Sequence, residues 1–289
     1  MKEQITGHTV LTALLGSPVA HSISPMMHNE AFQLLGLDYA YLAFDVSLEE
    51  LKTVVEALKI MNCRGFNCTM PHKTLVCEYV DHLSDAARLI GAVNTVVNDN
   101  GILTGHNTDG IGYMQSVKAA GHDIIGKNMT LLGVGGAATA ILAQAALDGV
   151  KKINVFNRKS PSFEKARPFI DRINRDTNCE VSLYDIEDET MLRACLKDSQ
   201  ILTNGTSVGM APNTEATLIR DVSMFHEDLI VSDVIYNPEE TLLMKQAKEA
   251  GCKTFNGLYM LLYQGAEAFK IWTGKEMPVE PNKKKYFDR

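Results

Sequence analysis

Short apolar runs alternate with amphipathic, well-punctuated segments along the whole chain, and the texture of that alternation changes near residue 112. Residues 11–16 form an apolar run of strand length that ends on a glycine. Ser24-Pro25 reads as an N-cap followed by proline at the first helical position, with Gly36 as the stop. Residues 42–46 predict a second strand. Ser47-Leu48-Glu49-Glu50 has the form of a capping box, opening a helix whose apolar stripe is Leu48, Leu51, Val54, Val55 and Leu58. Residues 84–90 predict a short helix stopped by Gly91. Residues 94–99 and 102–105 flank Asn100-Gly101, the residue pair of a two-residue hairpin turn. In that register position 94 lies opposite 107, and strand alternation would turn Asn94 and Asp109 to one face.

Beyond residue 112 the pattern becomes that of a parallel doubly wound sheet. An apolar strand at 129–132 runs into Gly133-Val134-Gly135-Gly136-Ala137-Ala138 and then an alanine-rich helix to Leu147. Further strands are expected at 153–156, 181–184, 201–203 and 229–235, and a last helix at 258–272 is expected to pack back on the first domain. The fold class is therefore α/β: an N-terminal α/β domain over 1–111 with 258–289 returning to it, a Rossmann-type domain over 112–257, and a cleft between them. The Lys283-Lys284-Lys285 run reads as a solvated tail.

Composition narrows the partners. A hydrophobic content of 45% with 22% charged residues suits a packed soluble protein. A net charge of -7 speaks against broad contact with nucleic acid or an anionic membrane. The N-terminus has no secretory apolar region, and no run of about 18 apolar residues suggests a span. Cys63, Cys68, Cys77, Cys179, Cys195 and Cys252 form no C-x-x-C pair and match no zinc spacing, so no metal site is expected. Unbridged thiols point to a reducing compartment, the cytoplasm by default.

The glycine segment carries the first chemistry. Gly133-x-Gly135-x-x-Ala138 fits the G-x-G-x-x-G/A dinucleotide fingerprint in its required context, after a strand and before a helix. Glycines there allow a tight turn and let a diphosphate approach backbone N–H groups at the positive end of the helix. About 20 residues on, where NAD enzymes usually place an acidic ribose reader, the chain has Asn157-Arg158-Lys159-Ser160. No carboxylate stands there to repel a 2′-phosphate and two cations could attract one, though Arg158 and Lys159 could equally face water.

Four further segments are denser in polar groups than scaffolding needs: Ser22-Ile23-Ser24-Pro25, Asn67-Cys68-Thr69-Met70-Pro71-His72-Lys73, Gly91-Ala92-Val93-Asn94-Thr95 and Asn107-Thr108-Asp109-Gly110. With the glycine loop, Asn157-Arg158, Asn204-Gly205-Thr206, Tyr236-Asn237-Pro238 and Gln264 following in order, the chain resembles the shikimate dehydrogenase family nearly end to end. Residues 204–210 and 251–254 look closest to its quinate/shikimate dehydrogenase branch.

That resemblance implies reversible NAD(P)-dependent oxidation of the ring 3-hydroxyl of shikimate, quinate or both to the 3-dehydro acid. The first domain would bind substrate and carry catalysis, and the second would bind the dinucleotide. Lys73 and Asp109 match the family's catalytic pair. A lysine near a carboxylate can take the hydroxyl proton as hydride leaves. Read alone, Lys73 is a surface lysine inside a proline-started helix and Asp109 a helix cap. Ser22 and Ser24 match holders of the ring carboxylate, Thr69, Asn94 and Gln264 match readers of the ring hydroxyls, and Tyr41 joins them. His21, His28 and His72 have no matched role and read as structural. Gly133, Val134, Gly135, Gly136, Ala137, Asn157, Arg158, Lys159, Ser160, Thr206, Ser207, Val234, Tyr236 and Gly257 match the cofactor side. Lys159 stands where the NADP branch resembles threonine, and Ser162 where it has a second cation, so NAD is the expected cofactor with NADP admitted. The partners implied are a small ring acid, with no nucleic acid and no membrane, and room for a homodimer. Two competing readings remain: a non-catalytic sensor of dinucleotide or ring acid on the same fold, and a Rossmann enzyme of other chemistry, such as a folate-linked dehydrogenase.

Overall fold

The structure, a computed structural model, describes residues 5–287; the outermost residues of the expected first domain lie outside the described residues. The chain divides into two compact units, Met1–Thr108 with Leu262–Arg289, and Asp109–Leu261. The expected limits at 111/112 and 257/258 lie a few residues from these boundaries, of which the first is the start of the helix Asp109–Ala119 and the second falls inside the helix Leu258–Thr273.

The first unit is built on a six-stranded mixed sheet in the order β2-β1-β3-β5-β6-β4. Its elements are β1 (Val10–Gly16), α1 (Ser24–Leu34), β2 (Tyr39–Asp45), α2 (Leu51–Ile60), β3 (Gly65–Cys68), β4 (His82–Leu83), α3 (Asp85–Ile90), β5 (Thr95–Asp99) and β6 (Ile102–His106). β1, β2 and β3 are parallel, whereas β5 runs antiparallel to both β3 and β6. The Asn100-Gly101 turn fixes the hairpin as its residue types require: both have positive φ, 55° and 91°, and Thr95 pairs with His106. α3 is capped as its sequence implies, with the Ser84 hydroxyl accepting from Ala87 N–H and Gly91 left-handed at φ 74°.

Two helix starts differ from expectation. Ser24 is not a cap; Ile23 holds that position, Ser24 is already helical, and its N–H donates to Ser22 Oγ at 3.2 Å. The Ser47–Glu50 box is half made. Glu50 accepts from the Ser47 N–H at 3.2 Å and from its hydroxyl at 2.9 Å, so the hydroxyl is spent as a donor and the helix starts one turn later at Leu51.

The second unit is a six-stranded, fully parallel sheet in the order β12-β11-β10-β7-β8-β9. It comprises α4 (Asp109–Ala119), β7 (Asn128–Leu132), α5 (Gly136–Asp148), β8 (Lys152–Asn157), α6 (Pro161–Asp176), β9 (Glu180–Asp185), α7 (Glu189–Lys197), β10 (Ile201–Asn204), β11 (Ile230–Asp233), α8 (Leu242–Glu249) and β12 (Lys253–Phe255). Numbered from β7, this is the 3-2-1-4-5-6 order of a doubly wound dinucleotide fold, with its switch point between β7 and β10. Ligands of such sheets bind outside the carboxyl ends of the strands at that point.

α9 (Leu258–Thr273) begins in the second unit, and from Leu262 it belongs to the first. Its anchor is Trp272, buried, whose Nε1–H donates to Val96 O at 2.9 Å while Arg64 Nε donates to Trp272 O at 2.8 Å. A Cβ at Gly65 would lie 2.3 Å from both Trp272 Nε1 and Val96 O, so this strand position has to be glycine for the indole to seat. Truncating Trp272 should cost about 3–5 kcal/mol. The chain then closes with α10 (Val279–Asn282). The lysine run after it is not simply solvated, because Lys285 Nζ pairs with Glu30 Oε2 at 2.6 Å.

Candidate functional site

In the first unit the hairpin's open end gathers a buried polar cluster. Asn94 is 2% exposed, and its Oδ1 accepts from Thr108 N–H at 2.9 Å, Thr95 Oγ1 at 3.0 Å and Thr108 Oγ1 at 3.2 Å. The backbone N–H can only donate, so it fixes which end of the amide is oxygen. With the oxygen saturated, only Nδ2 remains to act, and it lies 3.0 Å from Thr108 Oγ1 and 3.5 Å from Gln264 Oε1. Asp109 does not share the face of Asn94 through strand alternation as expected: β6 ends at His106, and Asp109 opens α4 within the helix's first turn.

Asn67 is the residue sequence reasoning left without a role. Its Nδ2 donates to Asn94 O at 3.0 Å and Thr95 Oγ1 at 2.9 Å, and its Oδ1 accepts from Tyr41 Oη–H at 2.8 Å. Its place in the N-x-T-x-P-x-K motif was the available signal. Tyr41 is fully buried; burial pushes its phenol well above the ordinary range, against the Ser24 hydroxyl beside it. Candidate residues Ser24, Tyr41, Asn94 and Gln264 are thus linked by short polar contacts through Asn67. His28 stacks on Tyr41 with centroids 4.5 Å apart, and neither ring nitrogen has a partner. Burial holds it neutral, with its pKa lowered to about 3.

Thr69 and Lys73 follow β3. Thr69 N–H donates to Leu15 O at 2.9 Å, and a Cβ at Gly16 would lie 2.2 Å from Thr69 Cγ2, so a glycine at the end of β1 makes room for this threonine. Lys73 sits in a turn, not a helix, and its carbonyl accepts from Val93 N–H at 2.7 Å, which ties it to the segment that carries Asn94 just before β5. Its ammonium is close enough to act on the buried Cys68 thiol, but burial dominates there and pushes that thiol up. Ser22 and Ser24 flank the start of α1, both half-buried, with Pro25 behind them. His72 is buried with Nε2 2.8 Å from Val46 O, which makes it a packing residue.

In the second unit the glycine loop joins β7 to α5. Gly133 has φ 101°, accessible at little cost only to glycine, and a Cβ there would lie 2.6 Å from Thr206 Cγ2. Gly135 is the N-cap of α5 in an extended conformation, and beside Gly135 and Gly136 a Cβ would meet nothing within 4 Å. The space over the helix N-terminus is therefore open, and a phosphate fits it. Ala138 is small for a different reason, since Gly205 packs against it: a Cβ at Gly205 would lie 2.8 Å from Ala138 Cβ. Val134 and Ala137 complete the loop as half-buried residues.

Thr206, Ser207, Val234, Tyr236 and Gly257 lie on the loops after β10, β11 and β12. Thr206 is held by its N–H and Oγ1–H on Asn204 Oδ1, at 3.1 and 2.7 Å. Asn204 Nδ2 in turn donates to Asp233, whose carboxylate also accepts from Ile235 N–H at 3.0 Å and Thr241 Oγ1–H at 2.8 Å. Burial raises Asp233's pKa against those donors. Gly257 is a glycine because a Cβ would lie 1.9 Å from Val234 O. Ser207 and Tyr236 are exposed.

Asn157 ends β8, and Ser160 is the N-cap of α6 with Pro161 at its first position. Arg158 and Lys159 are exposed. The expectation that no carboxylate stands here is corrected: β8 and β9 pair with Asn157 beside Asp185, and Lys159 Nζ lies 3.6 Å from Asp185 Oδ2. An open polar depression lined by Lys127, Lys151, Lys197 and His226 sits at the opposite, amino ends of the strands, away from the glycine loop. Among the described residues no group of His, Cys, Asp or Glu is arranged to hold a metal, and no helix is long and apolar enough to cross a membrane.

Comparison with known proteins sets this geometry in a family. The shikimate dehydrogenase substrate-binding domain matches residues 14–96, and the shikimate 5′-dehydrogenase C-terminal domain matches residues 257–283. A protein of Listeria innocua named shikimate dehydrogenase (NADP(+)) is 57% identical over 278 residues, 96% of each chain. The chain belongs to the shikimate dehydrogenase family. It is an oxidoreductase of that family. A crystal structure of shikimate 5-dehydrogenase from Listeria monocytogenes in complex with shikimate and NAD superposes with a TM-score of 0.95, at 56% identity and 98% coverage of each chain. Quinate dehydrogenase from Corynebacterium glutamicum in complex with NAD superposes at 0.84, with 31% identity, 96% of this chain and 98% of that one. The family's α/β architecture is the one described above.

Proposed function

We propose that the chain catalyses the reversible oxidation of the ring 3-hydroxyl of shikimate to the 3-dehydro acid, with NAD as a good cofactor and NADP also used. The observation that carries this reading is the amide pair Asn94–Gln264. Two residues 170 apart in sequence lie 3.5 Å apart, so a polyhydroxylated ring would meet two amides side by side. Ser22 and Ser24, at the amino end of α1, would hold the ring carboxylate with neutral donors. Thr69 would add a further hydroxyl. Lys73 takes the hydroxyl proton as the carbonyl forms and returns it in the reverse direction, and Asp109 is the second member of the proposed catalytic pair.

A nicotinamide dinucleotide, when bound, supplies the two-electron hydride acceptor. Gly133, Val134, Gly135, Gly136 and Ala137 would hold its diphosphate, Asn157, Arg158, Lys159 and Ser160 its adenosine end, and Thr206, Ser207, Val234, Tyr236 and Gly257 the remainder. The names of relatives support both cofactors, since one is called NADP(+)-dependent and two solved structures hold NAD. The absence of an acidic residue at 157–160 and the missing threonine and second cation support dual use with NAD favoured. Six cysteines without a bridge suit a reducing compartment, and we place the enzyme in the cytoplasm.

Steady-state kinetics with shikimate and quinate against NAD and NADP test substrate and cofactor together. Turnover of shikimate with either dinucleotide is expected, and a hundredfold NADP preference in kcat/KM would remove the NAD assignment. Lys73→Ala should lower kcat about 10²–10⁴-fold with an unchanged melting temperature. Near-wild-type turnover by that variant would move the proton role to another group.

A further inference from the structure

The cofactor-side residues Arg158 and Lys159 supply two cations at the carboxyl end of β8, where a doubly wound fold receives the adenosine ribose. They are not equivalent. Strand pairing sets Asp185, the last residue of β9, directly beside Asn157, the last residue of β8. Lys159 Nζ lies 3.6 Å from Asp185 Oδ2, and the carboxylate is the less mobile partner: its side chain is 22% exposed against 75% for the lysine. Its other oxygen is fixed, because Asp185 Oδ1 accepts from Glu187 N–H at 3.2 Å. The backbone around it is tied to β8 as well, with Ile186 N–H donating to Asn157 O at 3.1 Å. Ser160 Oγ and Ser162 Oγ are 2.8 Å apart, neutral hydroxyls at the amino end of α6.

We propose that Asp185 sets the balance between the two dinucleotides by claiming Lys159. This rests on the reading of the glycine-loop unit as a dinucleotide site. Beside Asp185 the ammonium is neutralised locally, and a ribose 2′-phosphate entering there must compete with a fixed carboxylate for it. A ribose with a free 2′-hydroxyl meets no such competition. The chain thus carries an acidic ribose-side residue after all, contributed by the neighbouring strand rather than by the end of β8. That position explains how a family member can accept NAD without an acid in the 157–160 segment.

The test uses the whole chain, isothermal titration calorimetry, and two probes that report the adenosine end alone: 5′-ADP and adenosine 2′,5′-bisphosphate. Asp185→Asn keeps an oxygen to accept from Glu187 and should tighten the bisphosphate about tenfold while changing 5′-ADP less than twofold. In the Asp185→Asn, Lys159→Gln double variant that gain should vanish. Equal tightening of both probes, no tightening of either, or a gain that survives loss of Lys159 would each overturn the proposal. Binding of neither probe by the wild-type chain would instead remove the dinucleotide reading itself, and this inference with it.

Discussion

The two units prepare for their ligands in opposite ways. In the first, the candidate residues are side chains already engaged with one another: Asn94 with Thr95 and Thr108, Asn67 with Tyr41 and Thr95, most of them buried. In the second, the glycine loop offers bare backbone beneath open space at Gly135 and Gly136. Buried polar side chains are costly to leave unmatched, so a site made of them discriminates among small polar molecules. A backbone cradle at a helix end attracts any diphosphate and discriminates little. On the proposed function, selectivity for the ring would be built into the first unit's core, whereas selectivity between dinucleotides would fall to the side chains at the end of β8.

The largest effect expected from this contrast is at Asn94. Asn94→Ala removes the acceptor of Thr108 N–H and the donor directed toward Gln264. It should lower kcat/KM for the ring acid about 100- to 1000-fold, and cost about 1–3 kcal/mol of stability through the orphaned N–H. Affinity for 5′-ADP, which belongs to the other unit, should not change. A matching loss of nucleotide affinity would mean that the two kinds of site are not separable.

A second, intermediate effect lies in pH. His28 has a folded pKa of about 3 against about 6.5 unfolded, because burial among Tyr41, Phe269 and Trp272 disfavours its charged form. Its folded value is depressed, so the neutral ring's contribution is complete above pH 6.5 and is lost as pH falls from there toward 3. At pH 5 the loss is roughly 2 kcal/mol. Asp233 in the second unit is shifted the other way, its pKa raised by burial, so its contribution is complete below about pH 3.9 and is lost as pH rises through the folded value. Amide hydrogen exchange should show β1 to β3 losing protection between pH 7 and pH 5 while β10 and β11 do not. His28→Phe should flatten the acid loss in the first unit, and an unchanged slope would remove the histidine as its cause.

What could be read from the sequence follows the same division between local and long-range causes. The hairpin register, the α3 caps, the glycine loop and the parallel, doubly wound class of the second sheet were legible, because turn chemistry and periodicity act over a few residues. Ser24 misled because a competing acceptor two residues back, Ser22 Oγ, takes its N–H once the chain is already helical. Strand alternation does not reach Asp109, because the strand ends at His106, three residues before the carboxylate. Asp185 was invisible for a different reason. It stands 28 residues beyond Asn157, and only the pairing of β8 with β9 brings them side by side. Asn67 was in plain view inside a recognised motif, but its part as the hub between Tyr41 and Thr95 depends on β3 lying between β1 and β5.

The smallest expected change in stability belongs to Gly135, and it separates folding from binding most cleanly. Gly135 is the N-cap of α5 at φ -77° and ψ -178°, a conformation any residue adopts. Nothing lies within 4 Å of a Cβ built there, so serine fits without a clash. Serine also caps better than glycine by a few tenths of a kcal/mol, so Gly135→Ser should melt at or slightly above the wild-type temperature. Its side chain nevertheless projects into the space where a diphosphate would approach the backbone, and 5′-ADP affinity should fall about tenfold. Gly133→Ser makes the control, since φ 101° and Thr206 Cγ2 at 2.6 Å forbid a side chain outright and stability itself should drop by about 1–3 kcal/mol. If Gly135→Ser bound nucleotide like wild type, the open space above α5 would not be where the diphosphate sits. The glycine there would then be a matter of turn geometry alone.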